Sequence, residues 1–151
     1  MAKIITVAHQ KGGVGKSTLT LNLGLLFQNK LRTAIVDTDL QGSLIDLRNM
    51  NLTILNNVPV NDIPLLDFDL ILIDTPPYLS DILRELLQVS DFVLLPTKAG
   101  FFDAMAVHST LSLIDEAMSK NKNLKSGIVL NIIKNSSSIT SELKGLFQNS
   151  H

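Results

Sequence analysis

Five short stretches of this chain are apolar almost without interruption, where a strand with one wet face would alternate. They are Ile4–Ala8, Thr33–Val36, Leu70–Ile73, Phe92–Leu95 and Gly127–Leu130. Strands covered on both faces read this way, which points to a parallel sheet with helices above and below. Parallel neighbours need long crossovers, and stretches of helical pattern lie between the runs. Ser17–Asn29 carries Leu19, Leu23, Leu26 and Phe27 at helical spacing, and further helices are expected at about 79–89, 100–119 and 139–148. The expected class is α/β: a doubly wound, mostly parallel, twisted sheet with helices on both faces. Such sheets bind ligands just beyond the carboxyl ends of their strands. Here those ends carry a glycine cluster, Asp37 with Asp39, Asp74 and Asn131, while the Phe92–Leu95 run stops at Pro96.

Size and composition narrow the function classes. The 151 residues suit a single domain, 1–151, and 45% are hydrophobic against 18% charged, which excludes intrinsic disorder. Thirteen Lys and Arg against fourteen Asp and Glu leave a formal charge of −1, so the chain is no polycation, although a local basic patch stays open. Without cysteine there are no disulfides, thiolate metal sites, iron–sulfur ligands or cysteine nucleophile. The first residues lack the apolar core of a signal peptide, and no run of eighteen apolar residues occurs; a cytoplasmic chain with no membrane association is expected. The pattern is weakest over 48–67, read as one short strand from Leu52 to Leu55 and a loop containing Pro59 and Pro64. Ser136–Ser138 reads as a turn and helix start.

Between the first run and the first helix lies His9-Gln10-Lys11-Gly12-Gly13-Val14-Gly15-Lys16-Ser17-Thr18. A polyphosphate needs converging backbone N–H groups, and glycine allows close approach without a Cβ. The helix opening near Ser17 adds unpaired amides and the positive end of its dipole. From this pattern Gly12, Gly13, Val14, Gly15, Lys16, Ser17 and Thr18 are expected to bind nucleotide. Lys16 reaches the outer phosphates and the Ser17 hydroxyl ligates Mg²⁺. An ordinary phosphate loop has glycine where Gln10 stands, and Lys11 follows at once. A second lysine there is hard to explain by packing and suits stabilisation of transition-state charge.

At this point the sequence resembles a known family. Lys-Gly-Gly-Val-Gly-Lys-Ser at 11–17 is similar to the deviant Walker A motif of the ParA/MinD ATPases. Ile35 to Ser43 resembles their Asp-x-Asp-Pro-Gln-Gly stretch, and Leu70 to Pro77 their Walker B strand and the switch after it. Asp91–Pro96 and Ile128–Asn131 fit the later strands, so the likeness runs from residue 3 to about 134. It implies a phosphate-loop NTPase fold and a Mg²⁺-dependent ATPase whose ATP is sandwiched between two subunits. Lys11 would then reach across a homodimer to the partner's phosphates, and Asp39 would position the attacking water. Asp74 would hold Mg²⁺ through water, and Asn131 would read the adenine edge. Asp37 is either a supporting carboxylate or a strand-end residue. His9, standing where the family often has asparagine, reads as structural, and His108 as a mid-helix surface or packing residue.

Departures sort the branches. Leu40 replaces the usual proline of the second motif. Family members normally continue past the adenine-reading strand, so a form shortened at the C-terminus is expected. Iron–sulfur relatives need cysteines, MinD-type relatives a basic amphipathic membrane helix, and the related tyrosine kinases a tyrosine-rich tail. None of these is here: the last segment, Ile139–Phe147, is short with a weak apolar face. The ParA-like branch survives. It implies an ATP-driven dimerisation switch in plasmid or chromosome partitioning, with slow hydrolysis stimulated by an adaptor protein. Contact with non-specific DNA stays open: Lys120, Lys122, Lys125, Lys134 and Lys144 tint the later part basic, but ordinary solvated lysines explain them too. Two alternatives stand beside this reading: a shortened, non-catalytic nucleotide-binding interaction module, and a phosphoryl-transfer or ligase-type enzyme of metabolism on the same fold.

Overall fold

The computed structural model describes residues 1–39, 44, 51–78, 81–98 and 101–132. The apolar runs form β1 (Lys3–Val7), β2 (Thr33–Asp37), β3 (Thr53–Asn56), β4 (Leu70–Asp74), β5 (Phe92–Thr97) and β6 (Lys125–Leu130). Three α-helices lie among them: α1 (Lys16–Phe27), α2 (Asp81–Val89) and α3 (Phe101–Lys120). All six strands pair in parallel, in the order β3-β2-β4-β1-β5-β6.

Alternation along the strands explains why they are apolar throughout. Ile35, Leu70 and Leu72 face α1, packing with Leu21, Leu23, Leu25 and Phe27. Their neighbours Val36, Ile71 and Ile73 face the other way, into a core with Ile63 and Leu86. Towards β5 that second face continues as Val93 and Leu95 against Leu83, Leu87, Leu113 and Ile114. Both faces are therefore dry, as the sequence requires. Gly24 of α1 serves this packing: a Cβ there would lie 2.8 Å from Leu52 Cδ2.

Two details differ from expectation. The stretch expected to be a loop with Pro59 and Pro64 contains a 3-10 helix, Val60–Leu65, which buries Ile63 completely. β5 does not stop at Pro96 but runs through it to Thr97. Leu94 O accepts from Ala8 N at 2.9 Å, so alternate residues, Pro96 among them, face β1. β1 has ended by then, and the missing N–H of Pro96 breaks no ladder bond. α2 begins at Asp81 within the described residues, and the expected helix at 139–148 and the turn at Ser136–Ser138 lie outside them. No helix among the described residues is long and apolar enough to cross a membrane.

Candidate phosphate-binding site

Register builds the site. Asp37 of β2 and Val7 of β1 both lie opposite Asp74 of β4, so two carboxylates and the start of the glycine loop share one level of the sheet. Thr38 ties the strand ends together, donating from its N–H (3.1 Å) and Oγ1 (2.7 Å) to Asp74 O. Asp37 Oδ1 accepts the N–H of Asp39 at 2.9 Å, a tight local turn that sets Asp39 at the rim of the cleft.

The loop between β1 and α1 is shaped by glycine at two points. Gly13 (φ +68°) and Gly15 (φ +94°) adopt left-handed backbone, which other residues reach only with strain. Gly15 directly precedes α1, whose first turn contains Lys16, Ser17 and Thr18. His9 is buried, and its Nδ1 accepts the Lys11 N–H at 3.0 Å, so it shapes the loop from beneath. Gln10 Nε2 donates to Ala106 O of α3 at 3.2 Å. The cleft over the loop, about 270 Å³, is bordered by Gly12, Gly13, Gly15 and α1's first turn on one side. Asp39, Thr75 and Pro77 close the other side.

Charge in this cleft is held at a cost. Lys16 is buried and its Nζ donates to Lys11 O at 3.0 Å. Burial lowers its pKa, with Asp74 and then Asp39 pulling the other way. Asp74 is fully buried; burial raises its carboxyl pKa to about 6, with the Ser17 hydroxyl donating to it and Asp37 adding repulsion. Thr20 Oγ1 makes a long contact to Asp74 Oδ1 at 3.5 Å, while Asp74 Oδ2 has no donor. Burial likewise raises the pKa of Asp37, although the Asp39 and Leu44 N–H groups oppose it, and its Oδ2 also lacks a donor. A buried carboxylate oxygen without a donor, beside a serine hydroxyl where a glycine loop meets a helix start, fits a hard divalent cation. Ser17 and Asp74 are thus the residues that would hold Mg²⁺. No cluster of three or more acidic or histidine side chains offers another metal centre among the described residues.

Asn131, just past β6, reaches the loop as well. Its N–H donates to Thr97 O at 2.7 Å, its Nδ2 to Val14 O at 3.0 Å, and its Oδ1 accepts from Ile132 N at 3.0 Å. A Cβ on Gly15 would collide with that amide. An asparagine amide has two N–H groups and two lone pairs, so one of each is left for a base edge.

The sequence-predicted residues Lys11, Gly12, Gly13, Val14, Gly15, Lys16, Ser17, Thr18, Asp39, Asp74 and Asn131 therefore lie around one end of the sheet. Lysines 120, 122 and 125 are exposed at the opposite end, where α3 finishes and β6 begins, and Lys134 and Lys144 lie outside the described residues. His108 is exposed on α3. Sequence reasoning overlooked Thr75, whose Oγ1 donates to Val7 O at 2.9 Å beside the cleft, and Lys98, whose ammonium lies 3.7 Å from where a Gly13 Cβ would stand. The only signal for either was its place just after an apolar strand.

Comparison with known proteins follows the same lines. The family model CbiA, described as the CobQ/CobB/MinD/ParA nucleotide binding domain, matches residues 5–149. The chain is 30% identical over 149 residues to the maintenance of carboxysome distribution protein A of Halothiobacillus neapolitanus, spanning 90% of this chain and 69% of that protein. In three dimensions it resembles the cobyrinic acid a,c-diamide synthase of Mycobacterium smegmatis, solved with bound ADP and magnesium. The TM-score is 0.85 at 20% identity, over 100% of this chain and 82% of that one. A plasmid partition protein of Borrelia burgdorferi superposes with a TM-score of 0.77 at 19% identity, over 96% and 85% of the two chains. At such identities the two structural likenesses speak for the fold alone.

Proposed function

Because the chain belongs to the CobQ/CobB/MinD/ParA nucleotide-binding domain family, we propose that it is a Mg²⁺-dependent ATPase in which ATP drives dimerisation, serving plasmid or chromosome partitioning or a related positioning task. The observation that carries this reading is the pairing of a desolvated Lys16 with a donorless Asp74 oxygen beside Ser17, at the mouth of a glycine loop. A metal–triphosphate supplies an anion to the buried lysine and a cation to the carboxylate oxygen that no donor reaches. Lys16 and the loop amides bind the phosphates, Ser17 and Asp74 hold Mg²⁺, and Asn131 reads the base. Bound Mg²⁺ supplies charge neutralisation on the outer phosphates.

Asp39, fixed at the rim by its bond to Asp37, accepts a hydrogen bond from the attacking water and aligns it with the terminal phosphate. Lys11 completes the site from the second subunit, so hydrolysis requires the dimer and stays slow until an adaptor protein tightens it. The carboxysome-distribution relative, 30% identical over 149 residues, supports a positioning role.

Turnover of Lys11→Ala tests the division of labour. This variant is expected to bind Mg–ATP as the wild type does, with hydrolysis reduced roughly a hundredfold or more, the usual scale for a lost transition-state contact. Wild-type turnover in Lys11→Ala would refute the trans-acting lysine. Wild-type binding without any turnover, with or without cell extract, would favour a non-catalytic interaction module.

A further inference from the structure

Lys98 stands one residue beyond β5, and nothing in the mechanism above uses it. Its position follows from register. Val7, the last residue of β1, lies opposite Leu94, so β5 continues for three residues alongside the loop into which β1 turns. Pro96, Thr97 and Lys98 therefore run beside that loop. The apex of the loop is gripped from two sides. Pro77 Cβ lies 3.7 Å from the Cβ position of Gly12, and Lys98 Nζ lies 3.7 Å from that of Gly13.

Lys98 is half-buried, an environment in which a lysine ordinarily finds a carboxylate. Among the described residues its ammonium has no ion pair and no hydrogen bond. Gly13 is exposed and has no side chain, so the ammonium can pass over the backbone into the cleft. The first turn of α1 cradles the phosphates nearest the nucleoside. Gly12 and Gly13 line the same cleft as Asp39 and Thr75, and with the inner phosphates on the helix start they would border the outermost one.

We propose that Lys98 is a third lysine of this phosphate site, which recognises the terminal phosphate of a nucleoside triphosphate from within the same subunit. The inference rests on the phosphate-loop reading and adds to it a basis for telling triphosphate from diphosphate. An ammonium beside the apex interacts strongly with the outermost phosphate, and its attraction weakens with distance to the inner ones.

The test is a titration of full-length wild type, Lys98→Gln and Lys98→Arg with fluorescent ADP and with a fluorescent non-hydrolysable ATP analogue, each with Mg²⁺. Protein is kept dilute so that binding is read on monomers. Lys98→Gln should weaken the triphosphate analogue about tenfold, the scale of one charge-assisted hydrogen bond, and ADP less than twofold. Lys98→Arg should recover most of the loss. Far-UV circular dichroism and a thermal melt check folding, and Lys98→Arg carries the test if Lys98→Gln fails to fold. An equal loss for both nucleotides, no loss, or an Arg variant as weak as Gln would overturn the proposal while leaving the phosphate loop intact. A wild type that binds neither nucleotide would overturn the phosphate loop itself, and this proposal with it.

Discussion

At the amino end of the sheet charged side chains are paired with one another, whereas at the carboxyl end two buried carboxylates each keep an oxygen that no donor reaches. Lys3 meets Asp91 at 2.7 Å, and Asp91 Oδ2 also takes the Ile4 N–H at 2.9 Å. Arg32 forks onto Asp67 and Asp69 at 2.8 and 2.9 Å. Asn121 donates to three carbonyls, Leu87, Gln88 and Ser90, at 3.4, 3.1 and 2.9 Å. At the other end Asp37 and Asp74 each bury an oxygen without a donor, and Lys16 is desolvated. The ion pairs of the amino end are thus closed among protein groups, while the carboxyl end buries carboxylate oxygens that no protein group serves. The two ends also titrate in opposite senses. Hydrogen bonds from Arg32 hold Asp69 below the usual carboxylate range; burial of Asp91 is outweighed by hydrogen bonds from Lys3 and Ile4. Burial pushes Asp37 and Asp74 above that range.

The largest break in this contrast should come from Asp74→Asn. The folded pKa of Asp74 is raised to about 6 from 3.8, so its favourable contribution is complete below 3.8 and is lost as pH rises through 6. At pH 7.5 the nucleotide-free wild type then carries a buried charge worth about 3 kcal/mol of instability, taking about 1.36 kcal/mol per pKa unit. Urea denaturation should find Asp74→Asn more stable by up to that amount at pH 7.5, the gap narrowing as pH falls from 6 towards 4. The same variant should lose the Mg²⁺ dependence of nucleotide binding. A less stable Asp74→Asn at pH 7.5 would show that this carboxylate is structural. Asp69 and Asp91 work with the opposite sign: their contribution is present above the unfolded value and disappears as pH falls through their lowered pKa values.

Next in size is Gly15→Ala. The αL backbone at φ +94° disfavours a Cβ, which would also displace the Asn131 amide. A loss of about 2 kcal/mol in stability is expected, accompanied by weaker nucleotide binding, because the loop and its latch move together. Stability lost with affinity intact would separate the two. The smallest effect belongs to the amino end. Asn121→Ala should cost about 1 kcal/mol in urea and leave nucleotide affinity unchanged, as expected for hydrogen bonds that serve only the fold.

Much of the carboxyl end was legible because its chemistry is local in sequence. The glycine loop, Lys11, Lys16 and Ser17 occupy seven consecutive positions, and Asp37 and Asp74 mark their strands' ends. What placed these carboxylates side by side, the pairing of β2 with β4 rather than β1, depends on contacts across tens of residues that periodicity does not encode. Proline misled twice for a related reason. Pro96 sits within a strand because its neighbour there has ended, and Pro64 sits within a 3-10 helix because Ile63 anchors it in the core. Lys98 and the bond from Asn131 to Val14 were illegible for want of any motif: the first depends on β5 running past the end of β1, the second on β6 ending level with β5 beside the loop.

The central claim, that ATP binding at the carboxyl end of the sheet joins two copies of the chain, is tested most directly by light scattering. The molar mass should double from that of the 16.5 kDa chain when Mg²⁺ and a non-hydrolysable ATP analogue are added. ADP should leave it unchanged, and Lys16→Ala should remain monomeric throughout. A mass that stays at one chain with saturating analogue bound, or that doubles equally in Lys16→Ala, would contradict the account.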